Sequence, residues 1–227
     1  VCSAGEDSPE LLEAAARAGA RLRVAPPRVP DGLRRYIPVL GYAEFEENLC
    51  VALETCRALG LDGPGALRGM AAAAPDLGAL RTWRWEEDGS PRVFVNAFAA
   101  NDVDSTRAVL ARALAGKPSG ARAVGLLSLR EDRAERTRQW LQALEKGLPE
   151  PLEELYAVGT AAGIVRRRLS ARGIPCRAIR ARDPGVILRA AAKGRPGELW
   201  IVGIGNIVGP GARIVEYCSV RGSLDEP

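Results

Sequence analysis

Short apolar runs alternate with longer segments of helical periodicity from residue 92 to residue 202, and this alternation constrains the fold more than any other feature. The apolar runs predict strands at 92–96, 123–127, 154–158, 176–179 and 199–202. Apolar residues at helical spacing predict helices between them, at 104–115, 133–146, 163–172 and 184–193. Strands and helices that alternate in this way form βαβ units, so the sequence predicts an α/β fold with a mostly parallel sheet.

The residues before this alternation have a different pattern, in which helices predominate. Ser8-Pro9 predicts a capped helix start. Apolar residues at helical spacing predict an amphipathic helix over 43–59, and a shorter helix is expected over 62–72. Residues 21–24 are a candidate for a short strand.

Residues 74–78 separate the two patterns, and their Pro, Asp and Gly residues are typical of a linker. After the linker, residues 80–86 alternate weakly in hydrophobicity, as an edge strand does. At the other end of the chain, 199–202 is expected to be the last strand, followed by a glycine-rich turn.

The composition favours an anionic small ligand over nucleic acid. The net charge is +4, but the arginines are spread along the chain and aromatic residues make up only 5%. Nucleic-acid binding normally needs a clustered basic face with interleaved aromatics. Five cysteines without a Cys-x-x-Cys pair, and no histidine, predict no metal site and favour buried free thiols in a reducing cytoplasm. No apolar run approaches the ~20 residues that span a membrane, and no signal peptide is visible.

In a sheet of this kind ligands bind outside the carboxyl ends of the strands, which points to the loops at 97–104, 128–133, 159–163 and 203–211. The first loop region contains polar residues that suit either helix capping or a ligand, and spacing alone favours capping. These residues are Asn96, Asn101, Asp102 and Ser105.

Two of the other loops give further candidates. Arg130 and Arg133 suit bidentate contacts with a carboxylate or phosphate, but they suit a solvated helix start equally well. The glycines from Gly203 onward resemble a dinucleotide fingerprint whose third glycine comes one position late, at Gly209. We therefore interpret that loop as a turn near the shared cleft and not as a nicotinamide site.

One central segment is fairly specific to a known group of enzymes: 94–102, Phe-Val-Asn-Ala-Phe-Ala-Ala-Asn-Asp, followed by Ser105-Thr106. Other matching segments are weaker individually but keep the same order and spacing; they are 74–81, 130–137, Ile174-Pro175 and 203–207. Together the segments resemble the Mur ligase superfamily, and most of all its Mur-ligase-like subunit of poly-gamma-glutamate (capsule) synthases.

The resemblance implies a three-domain enzyme of which this chain is the C-terminal portion. Residues 1–73 would be the end of the central ATP-binding domain, and residues 79–227 the Rossmann-like C-terminal domain. The phosphate-binding loop and the Mg²⁺ ligands are expected in a further N-terminal part, since these residues contain no Gly-x-x-Gly-Lys-Ser/Thr motif. The chain by itself is therefore not expected to be active.

The chemistry that the resemblance implies is amide formation. ATP activates a γ-carboxylate as an acyl phosphate, the amine of glutamate attacks it, and ADP and phosphate leave. Charge accumulates on the transferring phosphoryl group, so arginine and Mg²⁺ would dominate catalysis. The implied catalytic residues are Arg81, Arg130 and Arg133.

The resemblance also assigns nucleotide contacts. Asn48 matches an adenine-contacting residue, and Arg81 matches the arginine after the linker that reaches the phosphates. Asn96 stands where many Mur ligases have a ribose-binding Asp, a departure for which Asp102 could compensate. Asn101 and Ser105 would line the same loop, while Arg130 and Arg133 would face the acidic substrate.

The implied partners are glutamate or polyglutamate and the membrane subunits of a synthase complex, with no nucleic acid. The implied location is the cytoplasm, at the inner face of the membrane where partners or an N-terminal anchor hold the enzyme. Two alternatives stay open: another Mur-type ligase, acting on folylpolyglutamate or a peptidoglycan precursor, and a non-catalytic nucleotide- or partner-binding α/β module.

Overall fold

The computed structural model describes residues 1–6, 8–37, 46–73, 76–98, 100 and 103–225. The chain divides into two units, Val1–Pro75 and Asp76–Pro227. That the first unit is the end of a central ATP-binding domain stays a prediction. None of the helices in the described ranges has the length and apolarity that crossing a membrane requires.

The second unit is built on one mixed sheet, whose strands occur in the order β5-β4-β3-β6-β2-β1-β7. The pairs β2–β6, β6–β3, β3–β4 and β4–β5 are parallel, and β1 is antiparallel to both of its neighbours. The strands in the described part are β1 Arg81–Glu87, β2 Ser90–Asn96, β3 Arg122–Leu129, β4 Glu154–Gly159, β5 Cys176–Ile179, β6 Leu199–Gly205 and β7 Ser223–Asp225. The predicted α/β fold with a mostly parallel sheet is confirmed.

The helices of this unit connect the strands as crossovers. They are α5 Val103–Ala113, α6 Ala134–Leu144, α7 Ala162–Ser170, α8 Pro184–Ala192 and α9 Ala212–Arg221. From β3 through β4 to β5 the chain moves in one direction across the sheet, and from β5 to β6 it returns. Because such crossovers are right-handed, α6 and α7 cover one face and α8 covers the opposite face.

The core on the α8 face explains why the flanking segments fold as helices. Ile187 and Ala191 of α8, and Ile214 and Cys218 of α9, recur at helical spacing and pack against the sheet. The strands contribute alternate residues to the same cluster, for example Phe94, because successive side chains of a strand point to opposite faces.

The first unit is helical, with α1 Pro9–Arg17, α2 Asp31–Arg34, α3 Glu46–Ala58 and α4 Gly63–Ala72. The side chain of Ser8 caps α1 by accepting a hydrogen bond from the Leu11 amide, as predicted. The N-terminal part of the predicted helix 43–59 lies outside the described residues, and its remainder is α3. The predicted strand at 21–24 is wrong, since only a single bridge forms there, between Val24 and Cys2.

The C-terminal segment also differs from the prediction. We expected 199–202 to be the last strand, but α9 and β7 follow it. Because β7 pairs with β1, β1 is an inner strand and not the edge strand that its weak alternation suggested. The pairing joins only three residues of each strand, which is too short a run to produce a recognisable alternation.

Candidate functional site

The carboxyl ends of β3 and β6 define the site, because the chain leaves these adjacent strands toward opposite faces of the sheet. β3 continues into α6, whereas β6 continues through an irregular turn at Ile207–Gly211 into α9, which packs beside α8. Ligands of doubly wound sheets bind at such a switch point, in the crevice that the diverging connections leave. The loops at 128–133 and 203–211 therefore lie where the sequence analysis placed them.

Ser128 and Asn206 meet where β3 and β6 end. The Asn206 amide donates a 2.9 Å hydrogen bond to the Ser128 carbonyl oxygen. Both residues are buried, with exposed fractions of 0% and 5%. The Ser128 hydroxyl and the Asn206 side-chain nitrogen nevertheless make no hydrogen bond with any described residue. Buried polar atoms usually have partners, and exceptions concentrate at functional sites, so these two atoms mark the crevice as a candidate ligand site.

Gly205 allows β3 and β6 to approach this closely at their ends. It has a φ of +89°, and a Cβ atom there would lie 2.6 Å from the Ser128 carbonyl oxygen. Only glycine combines that backbone conformation with so little space. The glycine-rich character of the turn is therefore explained by backbone geometry at the site.

Asn96 organises the carboxyl end of β2. Its side-chain nitrogen donates to the carbonyl oxygens of Leu77 and Ala79, at 2.8 and 3.1 Å, and its side-chain oxygen accepts from the Phe98 amide at 3.4 Å. The residue is completely buried. These contacts hold the segment before β1 against the end of β2. They also occupy both amide hydrogens, so the predicted ribose contact would require Asn96 to exchange a partner.

Arg81 lies beside Asn96, because the two residues are paired in the β1–β2 register. Its guanidinium Nε is buried and makes no hydrogen bond within the described ranges. β1 therefore places a cationic side chain at the carboxyl end of β2. The predicted contact with nucleotide phosphates is untested, but the position and the unused donor suit an anion.

Arg130 and Arg133 follow β3, but their surroundings differ. The Arg130 guanidinium binds Asp132 through two hydrogen bonds of 2.8 and 2.6 Å. These hydrogen bonds from Arg130 lower the pKa of the Asp132 carboxyl below its ordinary value. Arg133 is exposed and immediately precedes α6. An acidic substrate would thus have to displace Asp132 to reach Arg130. Arg133 also contributes through its charge to the lowered pKa of Asp132, but no carboxylate in the described part of the chain forms an ion pair with it.

The other predicted site residues are Asn48, Asn101, Asp102 and Ser105. Asn48 belongs to the first unit, where it lines a cavity of about 510 Å³ together with Glu6 and Glu47. Asn101 and Asp102 lie outside the described residues. Ser105 lies in α5, but its side chain is also outside the described set.

The structure adds two residues to which the sequence analysis gave no role, Ser128 and Asn206. Both occur in loops that the strand pattern had selected, so their positions at strand ends were the available signal. What the pattern did not contain was their proximity, which depends on the insertion of β6 next to β3.

The cysteines and the acidic side chains were also compared with the requirements of a reactive thiol and of a metal site. The five cysteines are free thiols, and all but Cys56 are buried. Burial raises the pKa of Cys176 to about 11, which disfavours a reactive thiolate. No group of three or more His, Cys, Asp or Glu side chains suited to a metal occurs among the described residues.

A doubly wound α/β domain with unsatisfied polar groups at its switch point belongs to the Rossmann-like class of ligand-binding domains. Residues 82–221 match the family described as "Poly-gamma-glutamate synthase CapB C-terminal domain", and the chain belongs to that family. The resemblance to a subunit of poly-gamma-glutamate synthases is thereby confirmed.

Two relatives are similar in sequence to part of this chain. The capsule biosynthesis protein CapB of Bacillus anthracis is 39% identical over 99 residues, which make up 44% of this chain and 21% of that protein. The PGA synthase CapB of Bacillus subtilis (strain 168) is 37% identical over 106 residues, 46% of this chain and 27% of that protein. The aligned region thus spans only about a quarter of each relative.

Among solved structures, MurF from Acinetobacter baumannii is similar at 15% identity with a TM-score of 0.48, covering 75% of this chain and 37% of that chain.

Proposed function

We propose that this chain supplies one wall of the active site of an ATP-dependent ligase that forms γ-linked polyglutamate. In the proposed reaction ATP phosphorylates the γ-carboxylate of the acceptor, and the amine of an incoming glutamate displaces phosphate from the acyl phosphate. An amide, ADP and inorganic phosphate are the products. The single observation that carries the proposal is the family membership of residues 82–221.

The carboxyl edge of the sheet suits a nucleotide or an acyl phosphate because it holds buried polar atoms that have unused hydrogen-bonding capacity. The buried Ser128 hydroxyl, the Asn206 side-chain nitrogen and the Arg81 Nε make no hydrogen bonds within the described ranges. We assign Arg81 to the phosphate groups, where a guanidinium stabilises the charge that develops during phosphoryl transfer. Ser128 and Asn206 would complete the wall once a ligand or a conformational adjustment makes them accessible.

Mg²⁺ would supply charge neutralisation on the phosphates. The loop motif does not occur in these 227 residues. We therefore propose that the Mg²⁺ ligands and the phosphate-binding loop come from another region of protein. Asn48 is our candidate for the adenine contact. Asn96 is retained as a positioning residue for the segment that leads into Arg81, while Asn101, Asp102 and Ser105 stay proposals for the ribose side.

The acidic substrate is assigned to the arginines that follow β3. Arg133 is the more available of the two, because Arg130 is already bound to Asp132. We propose that the substrate carboxylate contacts Arg133 first and competes with Asp132 for Arg130. Glutamate or polyglutamate is the proposed substrate, and membrane subunits at the cytoplasmic face are the proposed partners.

A phosphate-release assay tests the function. The chain is supplied with a phosphate-binding-loop region, encoded in the same reading frame or added separately, and ATP hydrolysis is followed with and without glutamate. We expect glutamate-dependent release and γ-linked product. Release that depends on a folate or a peptidoglycan precursor instead would favour another Mur-type ligase, and no release with any acceptor would contradict the ligase proposal.

The role of Arg81 is tested by calorimetric ATP binding to the same assembly. We expect Arg81→Ala to weaken ATP binding roughly tenfold, the size expected for one charge-assisted hydrogen bond. Arg138→Ala is the matched control, because Arg138 is exposed on α6 and pairs with Glu135 at 3.2 Å. ATP binding that is equal in the two variants would remove Arg81 from the site.

A further inference from the structure

A second cavity, of about 730 Å³, lies at the opposite end of the strands from the switch-point crevice. It is bounded by the β1–β2 turn at Glu87 and Asp88, by Arg92 of β2, and by Lys193 and Arg195 after α8. Arg92 precedes Asn96 by four residues, which corresponds to about 13 Å along a strand. The volume is in the range of small-molecule sites, and the cavity is separate from the proposed nucleotide site.

Arg92 is the unusual residue of this cavity, because it is a buried cation without a counter-ion. Only 5% of the residue is exposed. Its guanidinium donates to the carbonyl oxygens of Gly197 at 2.7 Å, Pro91 at 3.2 Å and Arg195 at 3.4 Å. Its Nε has no partner among the described residues, and no described carboxylate forms an ion pair with it.

A buried, uncompensated charge is costly, and arginine cannot escape the cost by losing its proton. Arg195, at the same cavity, shows the usual solution, since it pairs with the carboxylate of Glu154. The carbonyl oxygens that accept hydrogen bonds from Arg92 carry only partial negative charges, so they do not neutralise its full positive charge. A ligand anion in the cavity would supply the missing negative charge.

The remaining charged groups of the cavity indicate the kind of anion. Lys193 and Arg189 are exposed and have no ion pair in the part of the chain that the structure describes, so they add two available cations. Glu87 is neutralised by Arg221 at 3.1 Å. Asp88 is an exposed carboxylate of the turn for which no described cation provides an ion pair. The cavity lining therefore combines available cations with one available carboxylate.

We propose that this cavity binds a small zwitterionic carboxylate, an α-amino acid, with its carboxylate toward Arg92 and Lys193 and its ammonium group toward Asp88. A phosphate carries more negative charge on one compact group and has no cationic group that could pair with Asp88. An amino acid carries a partner for each kind of charge in the lining. This second site is independent of the proposed nucleotide crevice.

Calorimetric titration of the 227-residue chain with three probes tests the proposal. L-glutamate carries both kinds of charge, glutarate has the two carboxylates without the ammonium group, and inorganic phosphate represents a general anion. We expect glutamate to bind most tightly, glutarate several-fold more weakly, and phosphate least. A rise in thermal midpoint with glutamate should accompany binding, since a ligand of the native state stabilises it.

Three variants locate the binding. Lys193→Glu should weaken glutamate binding roughly tenfold, as expected for the loss of one charged contact. Lys146→Glu makes the same charge change at an exposed site away from the cavity and should change binding less than about twofold. Asp88→Asn should bring glutamate affinity down to that of glutarate, and Asn is suited to the φ of +51° at this position.

Arg92→Met provides an independent measurement, because it removes the buried charge and keeps much of the side-chain volume. We expect stability without ligand to be equal or higher and glutamate binding to be lost. If this variant does not fold, Lys193→Glu still decides the matter. The proposal is overturned if no carboxylate binds at about 10 mM, if phosphate binds best, or if the two lysine variants are equivalent. None of these outcomes depends on ATP hydrolysis.

Discussion

Polar side chains at the amino ends and at the carboxyl ends of the parallel strands differ in how their hydrogen bonds are satisfied. At the amino end of β4, Glu154 accepts hydrogen bonds from Arg177 at 2.7 Å and Tyr156 at 3.0 Å, and it pairs with the buried Arg195. At the carboxyl ends of β3 and β6, Ser128 and Asn206 keep polar atoms without partners within the described ranges. Charge pairing thus organises the amino end, where the Nε atoms of Arg92 and Arg195 are the exceptions without partners among the described residues. Close backbone contacts organise the carboxyl ends of β3 and β6.

This difference separates stability from binding. Groups that satisfy each other contribute to the folded state and have little left for a ligand. Groups that stay unsatisfied cost stability unless a ligand completes them, which is why such atoms concentrate at functional sites. Substitutions of the paired groups around Glu154 should therefore change unfolding, and substitutions of the unsatisfied side chains at the carboxyl end should change binding.

The largest expected effect comes from removing the carboxylate of Glu154. Glu154→Leu leaves Arg195 buried without its counter-ion, so we expect the free energy of unfolding to fall by about 3–5 kcal/mol. Urea denaturation followed by circular dichroism measures it.

The double variant Glu154→Leu/Arg195→Met is the control for this change. It replaces both charges by apolar groups, so most of the lost stability should return. If the double variant is as unstable as the single one, the ion pair is not the source of the effect, and packing around β4 is.

The second effect concerns the backbone contact at the carboxyl end. Gly205→Ala places a Cβ 2.6 Å from the Ser128 carbonyl oxygen at a φ of +89°. We expect a loss of about 1–3 kcal/mol in the free energy of unfolding, because the strain has no flexible neighbour to absorb it. Gly163→Ala, in α7 where no atom lies within 4 Å of the added methyl, should leave stability unchanged or slightly higher. Equal losses in the two variants would contradict a special role for Gly205.

The predictability of the fold follows the same division. The strands of the parallel core were predictable because each is an apolar run with a helix of its own beside it. β7 was not predictable, since its short pairing with β1 produces no recognisable sequence pattern. α9 was also missed, because the glycine-rich turn before it was interpreted as the end of the regular structure. The strand order could not be predicted from the sequence pattern either, because the position of β6 between β3 and β2 depends on contacts between residues far apart in the chain.

The candidate site was predictable only as a set of loops. The carboxyl-end rule selected the loops of Ser128 and Asn206, but not the contact between them. For Arg130 the pattern suited an anion site and a solvated helix start equally well, and the structure gives it Asp132 as a partner. Arg92 lies at the start of a predicted strand, and the sequence pattern gave it no role. That no described carboxylate pairs with it can be recognised only in the three-dimensional structure.

A pH titration of stability sharpens the comparison further. Burial alone would raise the pKa of Glu154, but hydrogen bonds from Tyr156 and Arg177 and the charges of Arg177 and Arg195 outweigh it and lower the pKa. A carboxylate with a lowered folded-state pKa stabilises the protein above its unfolded pKa, ordinarily 4.5, and that stability is lost as the pH falls below this value. Wild-type denaturation midpoints should therefore fall more steeply in this acidic range than those of Glu154→Leu/Arg195→Met. Parallel curves would mean that Glu154 does not contribute.

The smallest expected change in stability is at Ser128. Ser128→Ala removes a buried hydroxyl that has no hydrogen-bond partner among the described residues, so its loss leaves no other group unsatisfied. We expect the free energy of unfolding to change by less than about 0.5 kcal/mol, or to rise slightly. Thr137→Ala is the matched control, because that buried hydroxyl donates a 3.3 Å hydrogen bond to the Arg133 carbonyl oxygen and its removal should cost about 1 kcal/mol. If Ser128→Ala is the more damaging variant, its hydroxyl has a structural partner and the carboxyl end does not differ from the amino end. If Ser128→Ala is neutral in urea but weakens ATP binding in the loop-supplemented assembly, the unsatisfied hydroxyl is a ligand contact, as the contrast between the two ends requires.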